Sequence, residues 1–277
     1  MRIILITLIM LLCSSINFPQ ISPGAKQVSL SNSDASTNGD VFALFNNPAG
    51  LSQFMKREAG VYYSPAPFGL YEMANGYVAY IEPFSIGSFA FGGMTYGFEL
   101  YKENKLSIGY SYNYQNKFLC GAAINLHTVS IRNYGSTSAL YINIGGIAYL
   151  TNELRWGFYL HNVNRASFTS EQNQIPFILN TGLSYTITNK LTIHLAMNKD
   201  IIQNTSILFG IEYNFVKYFS IRTGFSNEPS KYSAGVGVNY SFLRFDYAVF
   251  THQELGITHQ IGLIFSFDSD NHNYKDE

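Results

Sequence analysis

From about Glu58 onward, apolar and polar residues alternate with a period of two. That is the spacing of strands whose two faces meet different surroundings. Leu106, Ile108, Tyr110 and Tyr112 share one face, with Ser107, Gly109, Ser111 and Asn113 opposite. The same division recurs in Leu191, Ile193, Leu195 and Met197 against Thr192, His194, Ala196 and Asn198. It recurs again in Phe219, Ile221 and Phe225 against Ser220, Arg222 and Gly224, and in Ala234, Val236, Val238 and Tyr240 against Gly235, Gly237 and Asn239. A face built from Gly, Ser, Thr, Asn and occasional charges cannot line an oily core; it suits a wet or plugged lumen. Turn signals at Glu103-Asn104, Gln115-Asn116-Lys117, Thr151-Asn152, Thr188-Asn189 and Asn227-Glu228-Pro229 divide the pattern. The parse predicts an all-β chain: a transmembrane antiparallel barrel of roughly 14 strands between Met55 and Phe267. An even count returns both ends of the barrel to one side, predicted to be periplasmic. The longest connection, about 162–174, then falls at the cell exterior, with loops near Pro65, Asn133, Lys199, Pro229 and Gln253.

Composition supports a membrane rather than a soluble barrel. The chain is 47% hydrophobic, with 21 Tyr and 22 Phe, yet only 13% charged, against about 25% in soluble domains. Past Leu12 no apolar run approaches the roughly 20 residues of a membrane helix. The apolar content is dispersed in alternation, which is how a barrel crosses lipid. A net charge of −1 gives no electrostatic basis for nucleic-acid binding. Met1-Arg2 and the apolar run to Leu12, followed by Cys13-Ser14-Ser15, predict a secretory signal peptide over 1–15. Bulky Leu12 argues against reading Cys13 as a lipoprotein cysteine. Cys120 then remains alone, so neither an intramolecular disulfide nor a thiolate metal cluster is expected.

The last strand carries Ile261, Leu263, Phe265 and Phe267 on one face and Gln260, Gly262 and Ser266 on the other, interrupted by Ile264. With its aromatic end it resembles the C-terminal insertion signal of bacterial outer-membrane barrels, which implies the barrel-assembly machinery and outer-membrane lipid as partners. Gln260, Gly262, Phe265 and Phe267 are the residues of that signal, and a polar tail over 268–277 follows it.

Residues 16–54 read differently. Asp40 is placed to cap a short helix through Val41, Phe42, Ala43, Leu44 and Phe45, which Pro48 stops near Asn46-Asn47. An apolar cluster of this kind is costly to leave in water, so the segment is predicted to fold inward as a plug.

The run from Gly24 to Leu30, with Asp40 to Leu51 and Tyr62 to Gly69, resembles the N-terminal signature of the PorV/PorQ proteins, relatives of the FadL long-chain fatty-acid transporters. The resemblance implies a 14-stranded barrel whose N-terminal hatch holds an Asn-Pro-Ala element, matched here by Asn47, Pro48 and Ala49 and flanked by Asn46 and Gly50. Ser31-Asn32-Ser33 replaces the family's glycine-rich continuation, and the exterior loops are short. Two functions follow from it. One is an accessory membrane component of type IX protein secretion, with secreted proteins or secretion components as partners. The other is a passive transporter of hydrophobic small molecules.

Glu212, Arg222, Arg244 and Asp246 fall on the polar face, where burial demands that they pair with one another or with the plug. Gly92-Gly93 marks either a strand kink that opens the wall or room for the plug. Tyr77, Tyr80, Tyr110, Tyr149, Phe158 and Phe265 are assigned to interface girdles. The six histidines lack metal-ligand spacing and no Gly-x-Ser-x-Gly elbow occurs, so no cofactor, metal or enzymatic activity is expected, although a triad assembled across strands is legible only in geometry.

Overall fold

The computed structural model describes residues 23–267 except 38, 54, 169–174, 202–203 and 253–254. The expected signal peptide and polar tail lie outside the described residues. Fourteen antiparallel strands close into a barrel in which each pairs with its neighbours in sequence, and the last with the first. They are β1 Arg57–Ser64, β2 Asn75–Phe84, β3 Gly87–Gly97, β4 Tyr101–Tyr114, β5 Phe118–Ile131, β6 Gly135–Tyr149 and β7 Leu154–His161, then β8 Ile178–Thr188, β9 Leu191–Asp200, β10 Ser206–Val216, β11 Phe219–Asn227, β12 Ser230–Tyr240, β13 Leu243–His252 and β14 Gly256–Phe267. Closure runs Arg57↔Phe267 through Tyr63↔Ile261, so the strand bearing the insertion pattern seals the wall and leaves no edge.

The alternation translates directly into two surfaces. Leu106, Ile108, Tyr112, Leu195 and Met197 face outward and are exposed, whereas Ser107, Ser111, His194, Ser220 and Arg222 face inward and are buried. Glu103-Asn104 is not a turn: β4 and β5 pair without a break through Glu103↔Val129 and Asn104↔Thr128. The hairpin rises beyond the apolar band, where polar residues no longer mark a strand's end. Two of the assigned girdle positions are also corrected. Tyr77 is buried and packs edge-on against Phe45 at 5.0 Å. Tyr149 accepts a hydrogen bond from Gln53 Nε2 at 3.1 Å. Both belong to the inward parity of their strands.

Residues 23–53 pack against inward-facing positions of β1–β6 and β11–β14, with Ser36 bonded to Ser184 on β8, Ala35 against Gly157 on β7, and Leu30 and Ser33 against Gly210 on β10. The segment comprises a short helix, α1 Ala25–Ser29, and two 3₁₀ turns, Val41–Leu44 and Pro48–Ser52. Asp40 caps the first turn by accepting from Phe42 N at 2.9 Å, and Asn47 caps the second by accepting from Ala49 N at 3.2 Å. Val41, Phe42, Leu44, Phe45 and Leu51 are buried with wall residues Tyr62, Tyr77, Ile81, Met94 and Ile264. At roughly 1.5–3 kcal/mol for each large side chain removed from water, this cluster holds the segment in place. The polar face of β14 is interrupted at Ile264 because that position touches the cluster.

Candidate functional site

The interior has two parts: the seat of the N-terminal segment, and a cavity above it. At the seat, six charges form one neutral chain between segment and wall. Lys26 Nζ lies 3.6 Å from Glu212 Oε2, and Glu212 Oε1 accepts from Arg222 Nε at 2.8 Å. Arg222 donates through its second arm to Asp246 Oδ1 at 2.6 Å. Arg244 Nε is 3.0 Å from Asp246 Oδ2, and Arg244 donates to Asp40 Oδ2 at 2.7 Å. Gln27 Nε2 donates to the same Asp40 oxygen at 2.9 Å. The structure therefore brings together Glu212, Arg222, Arg244 and Asp246, and adds Lys26 and Asp40 from the segment. Parity along β10, β11 and β13 placed the first four on the inner face; only the folded segment could supply the other two.

Asn46, Asn47, Pro48, Ala49 and Gly50 sit together against the wall. Asn46 Nδ2 donates to Pro23 O at 2.8 Å and Asn47 Nδ2 to Ala35 O at 2.7 Å, so both amides brace the segment internally. Wall hydroxyls satisfy segment carbonyls: Ser111 Oγ donates to Ala49 O at 2.9 Å, and Tyr159 Oη to Phe45 O at 3.3 Å. Elsewhere Ser31 and Ser233 pair at 3.0 Å. Pairing on both sides of β3 continues in register through Gly92 and Gly93. A Cβ at Gly92 would come within 2.9 Å of Phe45 and 3.0 Å of Leu44. The wall itself is nearer still, with Val78 O at 2.6 Å. Gln260 and Gly262 face inward on β14, while Phe265 and Phe267 face outward near the barrel end where β1 begins and β14 ends.

The cavity, of about 400 Å³, lies opposite the barrel end where β1 begins and β14 ends, and Pro23 is among the residues that line it. Ser31, Asn32, Asp34, Ala35 and Phe45 form its floor, and Asn75, Tyr77, Lys105, His127, Tyr141 and Asn180 stand among its walls. Loop residues Phe168 and Ile175 fold inward onto Ala139 and Tyr141. His127 Nε2 and Glu103 Oε2 are 2.8 Å apart, and Lys105 Nζ lies 5.9 Å from the centre of the Tyr141 ring. Neither Glu103 nor Lys105 is an obvious candidate from sequence, although the outward parity of Leu106 and Ile108 already turns both inward.

Burial pushes the Asp34 carboxyl from 3.8 up to about 7, against the pull of Lys26 and with the push of Asp40. The folded state therefore favours neutral Asp34. Its contribution to stability is full below about pH 4 and is lost as pH rises through 7. Asp34→Asn, which stays neutral, is expected to gain over the wild type with rising pH, by up to about 4 kcal/mol above pH 7 and by little at pH 4. Urea-unfolding midpoints at pH 4, 6 and 8 check this, and a gain independent of pH would contradict it.

The fold, with an apolar belt outside and a polar, occupied lumen inside, is that of an outer-membrane β-barrel. Solved structures share it. The CymD monoaromatic hydrocarbon channel aligns with a TM-score of 0.72 at 13% identity, over 92% of this chain and all of that one. The toluene transporter TodX of Pseudomonas putida gives 0.62 at 14% identity, over 88% and 96%. A Pseudomonas aeruginosa FadL homologue gives 0.62 at 12%, over 89% and 97%. At these identities the likeness concerns the fold alone. No curated protein sequence matches the chain. Residues 87–265 match the family described as type IX secretion system membrane protein PorP/SprF, and the chain belongs to that family. The match begins after residues 24–69, which carry the PorV/PorQ resemblance. Neither the family nor these structural neighbours is described as an enzyme.

Proposed function

We propose that this barrel serves type IX protein secretion as an outer-membrane component stoppered by its N-terminal segment, with both termini periplasmic and the cavity end facing out. The family match over residues 87–265 carries this reading. The seat of the segment supports the stopper, since moving it means breaking a chain of six charges and exposing Phe42 and Leu44. Secreted proteins or secretion components are then the partners. A specific PorV/PorQ kinship rests on the N-terminal residues alone. Affinity purification from native membrane in mild detergent is expected to recover secreted cargo or secretion machinery. Recovery of the barrel with lipid and no protein would overturn the reading.

The second reading, passive transport of hydrophobic small molecules, is favoured by the likeness to the hydrocarbon channel CymD and the toluene transporter TodX and by the cavity. The unbroken β3 ladder and the charged cavity lining weigh against it.

A further inference from the structure

We propose that one arc of the rim, at the end where β1 begins and β14 ends, binds the headgroups of anionic phospholipids. Three turns at this end, joining β4 to β5, β8 to β9 and β10 to β11, each carry an exposed lysine: Lys117, Lys190 and Lys217. Among the described residues no carboxylate pairs with any of them. The turn between β6 and β7 holds Glu153, whose carboxylate accepts from the Thr151 hydroxyl at 2.9 Å. The half of the rim around the β1–β14 seam differs. Its turns Ser85-Ile86 and Ser241-Phe242 are uncharged. Arg57 is already engaged there, donating from Nε to Glu82 Oε2 at 2.8 Å, which leaves Lys56. At the opposite end of the barrel the signs are mixed, with Glu72, Glu99 and Glu228 accompanying Lys102, Arg132 and Arg165.

Depth decides what these cations meet. Tyr114 and Phe118 flank Lys117, Phe215 and Tyr218 flank Lys217, and Ile187 precedes Lys190, all of them exposed on the outer surface. Aromatic side chains of this kind sit where acyl chains give way to headgroups. An ammonium in the turn just beyond them reaches the phosphates, and Lys217 Nζ stands 5.7 Å from the centre of the Tyr218 ring. Lysine offers three donors on a flexible stem, so it takes a phosphate as a point charge and needs no prebuilt pocket. A glycerophosphate headgroup with net negative charge keeps that attraction, whereas a choline headgroup carries its own cation beside the phosphate. The spacing suits separate headgroups, one to a turn, rather than one acidic protein face: Lys190 and Lys217 are two strands apart, on the order of 10 Å.

Trp156, the one tryptophan of the chain, reports from within this arc, since it stands on β7, outward and 40% exposed. The full-length barrel is reconstituted in vesicles of phosphatidylcholine, and brominated phosphatidylglycerol competes for its surface. Quenching of Trp156 is expected to show about fivefold preference for phosphatidylglycerol, the gain from one lysine at a lipid surface, and the preference is expected to shrink at high salt. The triple variant K117Q/K190Q/K217Q is expected to lose it and Lys102→Gln, beyond the apolar band at the other end, to keep it. Boiling-dependent gel mobility reports folding, and Lys190→Gln alone, expected to lower the preference, serves if the triple variant does not fold. Neither the secretion reading nor the orientation of the barrel enters this measurement. Equal quenching by the two lipids in the wild type would overturn the proposal. So would a preference that survives in the folded lysine variants, an equal loss in Lys102→Gln, or binding of polyglutamate without any lipid preference.

Discussion

Arg222→Leu is expected to destabilise the folded barrel by about 3–5 kcal/mol, the cost of breaking a buried ion pair by removing one partner. The Arg222 side chain is 3% exposed and bridges Glu212 and Asp246, which are 13% and 4% exposed. Its loss leaves Glu212 with Lys26 at 3.6 Å, and Asp246 with Arg244 alone. Neither remaining contact replaces the two close hydrogen bonds that Arg222 supplied. The pair Arg132 and Glu99, 52% and 78% exposed, provides the contrast. There Arg132→Ala is expected to change stability by under about 1 kcal/mol. Unfolding midpoints in urea, followed by tyrosine fluorescence in lipid vesicles, separate the two. Equal, small effects would mean that water reaches Arg222 and screens the chain.

Gly121→Leu is expected to convert a closed barrel into a conducting one. A Cβ at Gly121 would lie 2.5 Å from both the carbonyl carbon and the oxygen of Pro48, and 2.6 Å from Ala49 N. These are backbone atoms, so no side chain can rotate away. The wall strand is held on both sides, Gly121↔Ser111 and Gly121↔Gly145. The 3₁₀ turn Pro48–Ser52 must therefore lift. Planar-bilayer recordings should show little conductance for the wild type and a stable, porin-like increase for the variant. Gly93→Ala should behave as wild type, because its nearest neighbours would be at 3.5 and 3.7 Å. A folded Gly121→Leu barrel that stays closed would show that the segment yields without unseating.

Much of the architecture was legible in the sequence because a membrane barrel exposes each residue to one of two media in strict alternation. Leu106 and Ile108 announce β4, and their parity fixes the inward course of Ser107 and Gly109. The polar-face charges Glu212, Arg222, Arg244 and Asp246 could be grouped by the same rule, since the three strands that carry them, β10, β11 and β13, are near neighbours. What could not be read was whatever depends on three-dimensional placement of the segment. Lys26 and Asp40 join the charge chain only after residues 23–53 fold inward. Tyr77 resembles a girdle aromatic in sequence, but its partner Phe45 lies in the lumen. Glu103 looked like part of a turn because polarity marks a strand's end inside the apolar band but not beyond it. The cavity was likewise hidden: Asp34, Asn75, Lys105 and Tyr141 line it from different elements, and no local spacing reveals their convergence.

The seat of the N-terminal segment also imposes an order on biogenesis. The segment precedes every strand along the chain, yet its strongest polar ties are to residues some of the most distant in sequence: Asp40 to Arg244, 204 positions on, and Ser31 to Ser233, 202 on. Ile264, in the closing strand, completes the apolar side of the seat. The entropy of closing so long a loop is recovered only when β1 meets β14. Val41, Phe42 and Leu44 rest mainly on Tyr62, Tyr77, Ile81 and Met94 of β1–β3, so their apolar seat forms early and lacks only Ile264 until closure. On the proposed reading, the polar ties that would hold the stopper wait for the last strands, so a barrel that fails to zip β1 to β14 would lack its seal.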